Sequence, residues 1–211
     1  MNDGTGTDQE MNMNAAAAAA IIAEADARAR PVLRPDHRVT FLVWGVIWFI
    51  GDGLMWLAVR GQHPYHGPNP GGYAALVLLT VLVGLASVAQ SRAESGVRGL
   101  SVVRRWTFSL SALAGLGGAF LVEGALVRAG ASLPVVGVFE AVAPLLVIGL
   151  LYLARFSAEP DWAVAGLGLW LVLVAAAGAY AGPQNVWAVT TLAVGPAFLL
   201  VSAIKQRRRR A

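Results

Sequence analysis

Three of the twelve acidic residues in this chain, Asp52, Glu123 and Glu140, stand inside long apolar runs. A charge in such a place is costly, so it normally faces a cavity or a partner, or serves a function. Asp52 lies in WGVIWFIGDGLMWL, where Trp44, Trp48, Asp52 and Trp56 follow one another at intervals of four. On a helix these positions share one slowly drifting stripe, which sets indole rings around a carboxylate. An anion with aromatic faces suits a lipophilic cation, through charge pairing and cation–π attraction of about 0.5–2 kcal/mol per ring. The alternative is that the indoles pack or anchor, as Trp44 and Trp56 near the ends of the run would. Gly51 and Gly53 flank the aspartate and permit close helix approach or local unwinding.

Glu123 and Glu140 belong to two consecutive runs that form an antiparallel hairpin. At 1.5 Å of rise per residue, Glu123 lies about 6 Å and Glu140 about 10 Å from the same end, and Asp52 about 10 Å from the corresponding end of its own run. If the two glutamates meet, they can share one proton and exchange it for a cation. Otherwise Glu123 reaches interfacial water or pairs with Arg128, and Glu140 is a neutral acid hydrogen-bonded between helices. Pro144 has no N–H for the carbonyl of Glu140, and Pro196, beside Gly195, likewise frees the carbonyl of Leu192. Gly51, Gly53, Pro144, Gly195 and Pro196 are therefore candidate helix breaks at a polar cavity. The commoner outcome is a proline kink repaired by a hydroxyl or water.

His63 and His66, in HPYH, could join these acids in a metal site, but Pro64 and the surrounding glycines predict a flexible loop. With no cysteine in the sequence, thiolate ligands and cysteine nucleophiles are excluded. No HExxH, GxSxG or GxxxxGK motif occurs, so neither hydrolase chemistry nor primary ATP-driven transport has a motif to rest on. No cofactor is expected.

The elements that must position these residues are membrane helices. Hydrophobic residues make up 57% of the 211-residue chain and charged ones 13%, with mean hydropathy +0.62. That is too apolar for a soluble domain, which carries about a quarter charged residues. Six runs have about the 20 residues needed to cross a bilayer: Val39 to Val59, Tyr73 to Ala89, Trp106 to Val127, Leu133 to Phe156, Trp162 to Ala181 and Val186 to Ile204. Turn-rich segments join them, among them GQHPYHGPNPGG, RAGAS, SAEPD and GPQN. The predicted fold is an all-α integral membrane bundle of six transmembrane helices over 39–204. Before it, 1–38 should hold a disordered tail and an Ala-rich cytoplasmic helix, and after it 205–211 a basic cytoplasmic tail.

Orientation follows from counting basic residues by side, because loops rich in Lys and Arg stay in the cytoplasm. With six spans, fourteen of the sixteen Lys and Arg fall on one side, and only Arg60 and Arg128 on the other. Both termini are thus placed in the cytoplasm, in a bacterial inner membrane. The basic residues are dispersed among loops and an Arg tail, which argues against nucleic acid as a partner. The expected partners are the lipid bilayer, a second copy of the chain, a cytoplasmic ATPase or regulator, and a small-molecule substrate. Small residues, Ala114, Gly115, Gly117 and Gly118 in one run and Ala175 to Ala179 in another, are suited to close helix contact.

Trp44, Gly45, Trp48 and Gly51 form a W-G-x-x-W-x-x-G pattern behind an Arg- and Ala-rich lead. It resembles that of small uncharacterised membrane proteins of GC-rich bacteria that are loosely labelled transporters, and the span layout is similar over about residues 30 to 205. Where the pattern often continues with Tyr, this chain has Asp52. The resemblance implies a membrane location and transport, and assigns no residue roles. The leading expectation is a secondary transporter, or a subunit of one, for a small lipophilic or cationic molecule, driven by protons. Asp52, Glu140, Glu123, Trp48, Trp44 and Trp56 are its candidate site residues. The alternatives are a non-catalytic membrane partner, such as the permease half of an ATP-driven exporter or an anchor for a regulator, and an outer-facing intramembrane enzyme.

Overall fold

The computed structural model describes residues 37–75, 77, 78, 81, 100–157 and 160–210, with 17, 18, 20, 21 and 24 near the start. The chain forms two compact units, Met1–Asp36 and His37–Ala211. The described residues of the first are helical, and the tail expected over 1–14 lies outside the described residues. In the second unit five long helices follow one another: α1 His37–Val59, α2 Leu100–Arg128, α3 Leu133–Phe156, α4 Trp162–Ala181 and α5 Val186–Arg210. All five are long and apolar enough to cross a membrane, and there is no strand among the described residues. Residues 70–75, 77, 78 and 81 are helical. The rest of the span expected over Tyr73 to Ala89 lies outside the described residues.

The helix ends follow from local chemistry. After α2, Gly130 adopts φ +81°, its N–H bonds to Val127 O, and the N–H of Ala131 bonds to Leu126 O at 3.0 Å. This is a Schellman stop, which needs the left-handed conformation that glycine takes without strain. Asp161 caps α4 by accepting from the N–H groups of Ala163 and Val164 at 3.1 and 3.4 Å, and Gly182, at φ +82°, ends the same helix. α5 runs six residues past the expected Ile204, through the basic tail. Arginine is a good helix former, so nothing there breaks the helix once it leaves the apolar run.

α1 packs on α5, α3 on α4, α4 on α5 and α2 on α3. Two of these contacts are backbone to backbone. A Cβ on Gly45 would lie 3.1 Å from Gly195 O, and one on Gly195 would meet Phe49 Cβ at 2.8 Å, so α1 and α5 can approach only as glycines. Gly149 and Gly168 do the same for α3 and α4, each hypothetical Cβ falling within 2.9 Å of the other's carbonyl oxygen. At the candidate helix breaks the helical assignment is continuous: α1 runs through Gly51 and Gly53, α3 through Pro144 and α5 through Gly195 and Pro196. Gly195 sits at the helix crossing, and Gly53 is in ordinary contact with the Thr191 methyl. Near Pro196, Trp170 of α4 donates its indole N–H to Ala193 O at 2.9 Å. Among the small residues, Gly115 seats Val147 of α3, whereas Gly117 and Gly118 face open space.

The buried core includes Met55, Leu145, Leu171, Val186, Val194 and Phe198. Leu113, Phe120, Leu121, Leu169, Leu173 and Leu192 point outward and are exposed. An apolar exterior of this extent is unfavourable in water and natural in lipid. The bundle is a membrane protein.

Candidate functional site

The two ends of the bundle differ in charge. One carries Arg155, Lys205 and Arg207, and is called the basic end below; the other carries the 60–69 connection and the turns at 129–132 and 182–185.

At the basic end the polar groups have partners. Asp161 accepts from Lys205, whose ammonium also lies 5.5 Å from the centre of the Phe41 ring, and Ser202 donates to Arg38 O at 3.0 Å. Partial burial pushes the Asp161 carboxyl up, but the Lys205 ammonium and the two capping N–H groups outweigh it, so its pKa falls below the ordinary value. Phe41, Tyr152 and Phe198 form an aromatic plug just inside, with ring centres 6.1–6.3 Å apart.

Toward the opposite end lies a polar cluster whose groups are only partly matched. Asp52 is 1% exposed, and its Oδ2 has no hydrogen-bond partner. Its immediate polar neighbour is the Thr190 hydroxyl of α5, which donates to Trp187 O at 3.0 Å. One turn along α1 the indole N–H of Trp48 is also buried and unpartnered. Trp44, Trp48 and Trp56 are half-buried against the core, and one face of Trp56 is taken by the Arg60 guanidinium at 5.7 Å. The indole stripe is therefore not uniformly available, and Trp48 is the member that stands with Asp52.

The connection after α1 reaches into the bundle. Gln62 donates to Ala58 O at 2.8 Å and Gly67 O at 3.0 Å, and accepts from the His66 N–H at 2.9 Å. Gln184, from the turn before α5, donates to Gln62 O and lies 3.3 Å from His63 Nδ1. The segment expected to be a flexible loop is thus built around one glutamine and tied to a second connection. It inserts Tyr65 so deeply that a Cβ on Gly137 of α3 would overlap its hydroxyl oxygen. That hydroxyl faces the Trp187 indole N–H, which acts on it as a hydrogen-bond donor, although the contact falls short of full hydrogen-bond geometry for both groups. Burial raises the Tyr65 pKa, the Trp187 indole opposes that, and the charge of Glu140 adds to it.

Glu140 accepts a hydrogen bond from the Tyr73 hydroxyl at 2.8 Å. Glu123, half-buried on α2, is close enough for its charge to act on both Glu140 and Tyr73. No family model, curated protein or solved structure matches the chain. What the site does must therefore be read from its own geometry. Glu140 and Tyr73 are joined by a hydrogen bond, with the charge of Glu123 reaching both. Asp52 is neighboured by Thr190 and lies one helix turn from Trp48, and Trp187 is neighboured by Tyr65. His63 and His66 are exposed, and no three His, Cys, Asp or Glu side chains converge among the described residues.

Thr190, Trp187, Tyr65 and Tyr73 were not among the candidates from sequence. A hydroxyl or an aromatic ring in an apolar run carries no visible cost, and their partners come from distant segments. Tyr65 offered one signal: it is the aromatic residue of HPYH, flanked by the two histidines that drew attention as metal ligands.

Proposed function

We propose that this chain is a secondary transporter, or the membrane subunit of one, with six spans and both termini in the cytoplasm. It moves a small lipophilic or cationic molecule in exchange for protons. The observation that carries this reading is Asp52: a carboxyl in mid-helix, 1% exposed, with one oxygen unpartnered and no Lys or Arg paired with it among the described residues. An idle carboxyl in such a place is a pure cost, whereas one that exchanges a proton for a cation has a use. Glu140 and Tyr73, with the charge of Glu123 reaching both, lie nearer the arginine-poor face and supply a second proton-holding group on the route to it.

The test is flux in proteoliposomes under an imposed pH gradient, reading cation efflux and proton movement together. Wild-type protein should couple the two, and Asp52→Asn should abolish coupling; unchanged coupling in Asp52→Asn would remove the aspartate from the mechanism. Topology is separable, because a chain without cysteine accepts single reporters cleanly. A cysteine at His66 should react with an impermeant maleimide from outside, and one at Ala211 only after permeabilisation. The opposite pattern inverts the orientation.

A further inference from the structure

α5 runs on past its apolar stretch into a basic segment. α2 and α3 each end with a single basic residue in the last turn, Arg128 and Arg155, which suits the exposed carbonyls of a helix end. α5 instead continues from Lys205 through Arg207 and three further arginine positions to Arg210, and it has no acidic residue along its length.

The depth of this segment follows from its neighbours. Lys205 holds Asp161, the N-cap of α4. Trp162 follows directly and is 74% exposed, an indole at the level where amphipathic rings meet the membrane interface. At 1.5 Å of rise per residue, Arg207 lies about 3 Å and Arg210 about 7.5 Å beyond Lys205. The headgroup layer of one leaflet is about 5–7 Å thick. The arginines therefore cross the layer that holds the lipid phosphates. Among the described residues of the bundle, Asp161 is the one carboxylate at this end. Lys205 already holds it, so the exposed Arg207 finds no free protein carboxylate among them.

What lies below Arg207 points to the partner. Leu192, Pro196, Leu200 and Ala203 are exposed and, at steps of three to four residues, form one outward stripe of α5 that reaches Arg207 and then position 210. From Leu192 to Ala203 the stripe is about 16 Å long, close to the roughly 15 Å of hydrocarbon in one leaflet. An apolar ridge that ends in cations at phosphate depth has the polarity of a phospholipid, chains below and charged head above. A soluble acidic partner would have no use for the ridge.

We propose that this outward face of α5 binds an anionic phospholipid, its acyl chains along Leu192 to Ala203 and its phosphate at Arg207 and the arginine position one turn beyond. The site stands apart from the transport reading, and α5 meets a headgroup layer on whichever side it emerges.

The chain has no cysteine, so a single bimane can be placed through Ala203→Cys on the stripe, or through Phe120→Cys on the exposed face of α2 for comparison. The full-length protein is reconstituted in phosphatidylcholine doped with brominated phosphatidylglycerol or brominated phosphatidylcholine, and quenching reports which lipid touches each label. At Ala203 phosphatidylglycerol should be favoured at least about fivefold at low salt, less in about 0.5 M NaCl. Combining Arg207→Gln, Arg208→Gln, Arg209→Gln and Arg210→Gln should bring the ratio to about one, and the Phe120 label should read about one throughout. Equal quenching by the two lipids at Ala203, the same preference at Phe120, or a preference that survives the fourfold substitution overturns the site. The first two comparisons keep the native helix end, so they decide the matter even if the substituted chain does not fold. Binding of polyaspartate through the same arginines, without lipid preference at Ala203, would make this end a protein-docking surface and equally overturn the lipid site.

Discussion

Asp161 and Asp52 are the same side chain in opposite circumstances. Asp161 caps a helix, accepts two backbone N–H groups and pairs with Lys205. Asp52 sits in mid-helix with one oxygen unpartnered and a single shared hydroxyl beside it. The first is explained by the fold it completes. The second detracts from the fold and calls for a reason outside it. The contrast teaches where to look in a membrane bundle: a carboxyl with every bond made marks construction, and a buried one with bonds to spare marks use.

The comparison is broken most directly by exchanging the roles. Asp52→Asn is expected to abolish proton-coupled flux, by at least about a hundredfold, while the melting temperature in detergent holds or rises, because an uncompensated buried acid is removed. A large drop in melting temperature would make Asp52 a structural residue like Asp161. Gly168→Val is next, since a Cβ there meets Gly149 O at 2.8 Å and Leu153 N at 3.0 Å. Overpacking should cost about 2–3 kcal/mol in reversible unfolding and bear equally on both regions. Asp161→Ala should cost about 1–2 kcal/mol through the lost cap and leave flux at permissive temperature intact. Its pH dependence sharpens the contrast. Because the Asp161 pKa is lowered in the fold, its stabilisation is full above the ordinary carboxylate range and is lost as pH falls through the folded value. The gap in melting temperature between wild type and Asp161→Ala should therefore close below about pH 4. Smallest, Lys205→Gln should cost about 0.5–1 kcal/mol, and less in high salt.

The helices could be read in the sequence because each apolar run is closed by chemistry that acts within a few residues. α3 and α4 begin and end where expected, with Pro134, Asp161 and Gly182 setting their limits. Asp52, Glu123 and Glu140 could be read because a carboxyl interrupts an apolar run visibly. The partners of Asp52 could not, because which helix faces which is decided by shape. Gly45 and Gly195 are 150 positions apart, and nothing local in either says that the other fills its groove. Glycines and prolines suggested breaks, since they weaken an isolated helix, but α5, packed on α1 and α4, continues through Gly195 and Pro196. Tyr65 was hidden because a connection is expected to lie on the surface, and Gln62 and Gln184 hold this one inward.

The close backbone approach between α1 and α5, at Gly45 and Gly195, joins two helices that are made far apart in time. A ribosome delivers these helices in order, so α1 enters the bilayer and waits while α2, α3 and α4 are made before α5 arrives. During that wait Asp52 has neither Thr190 nor the wall that buries it. The nascent chain must shelter this carboxyl by other means, keeping it protonated, drawing it toward the interface or covering it with the insertion machinery. Truncation anywhere before Val186 would leave that provisional state permanent, with an unshielded acid for quality control to recognise.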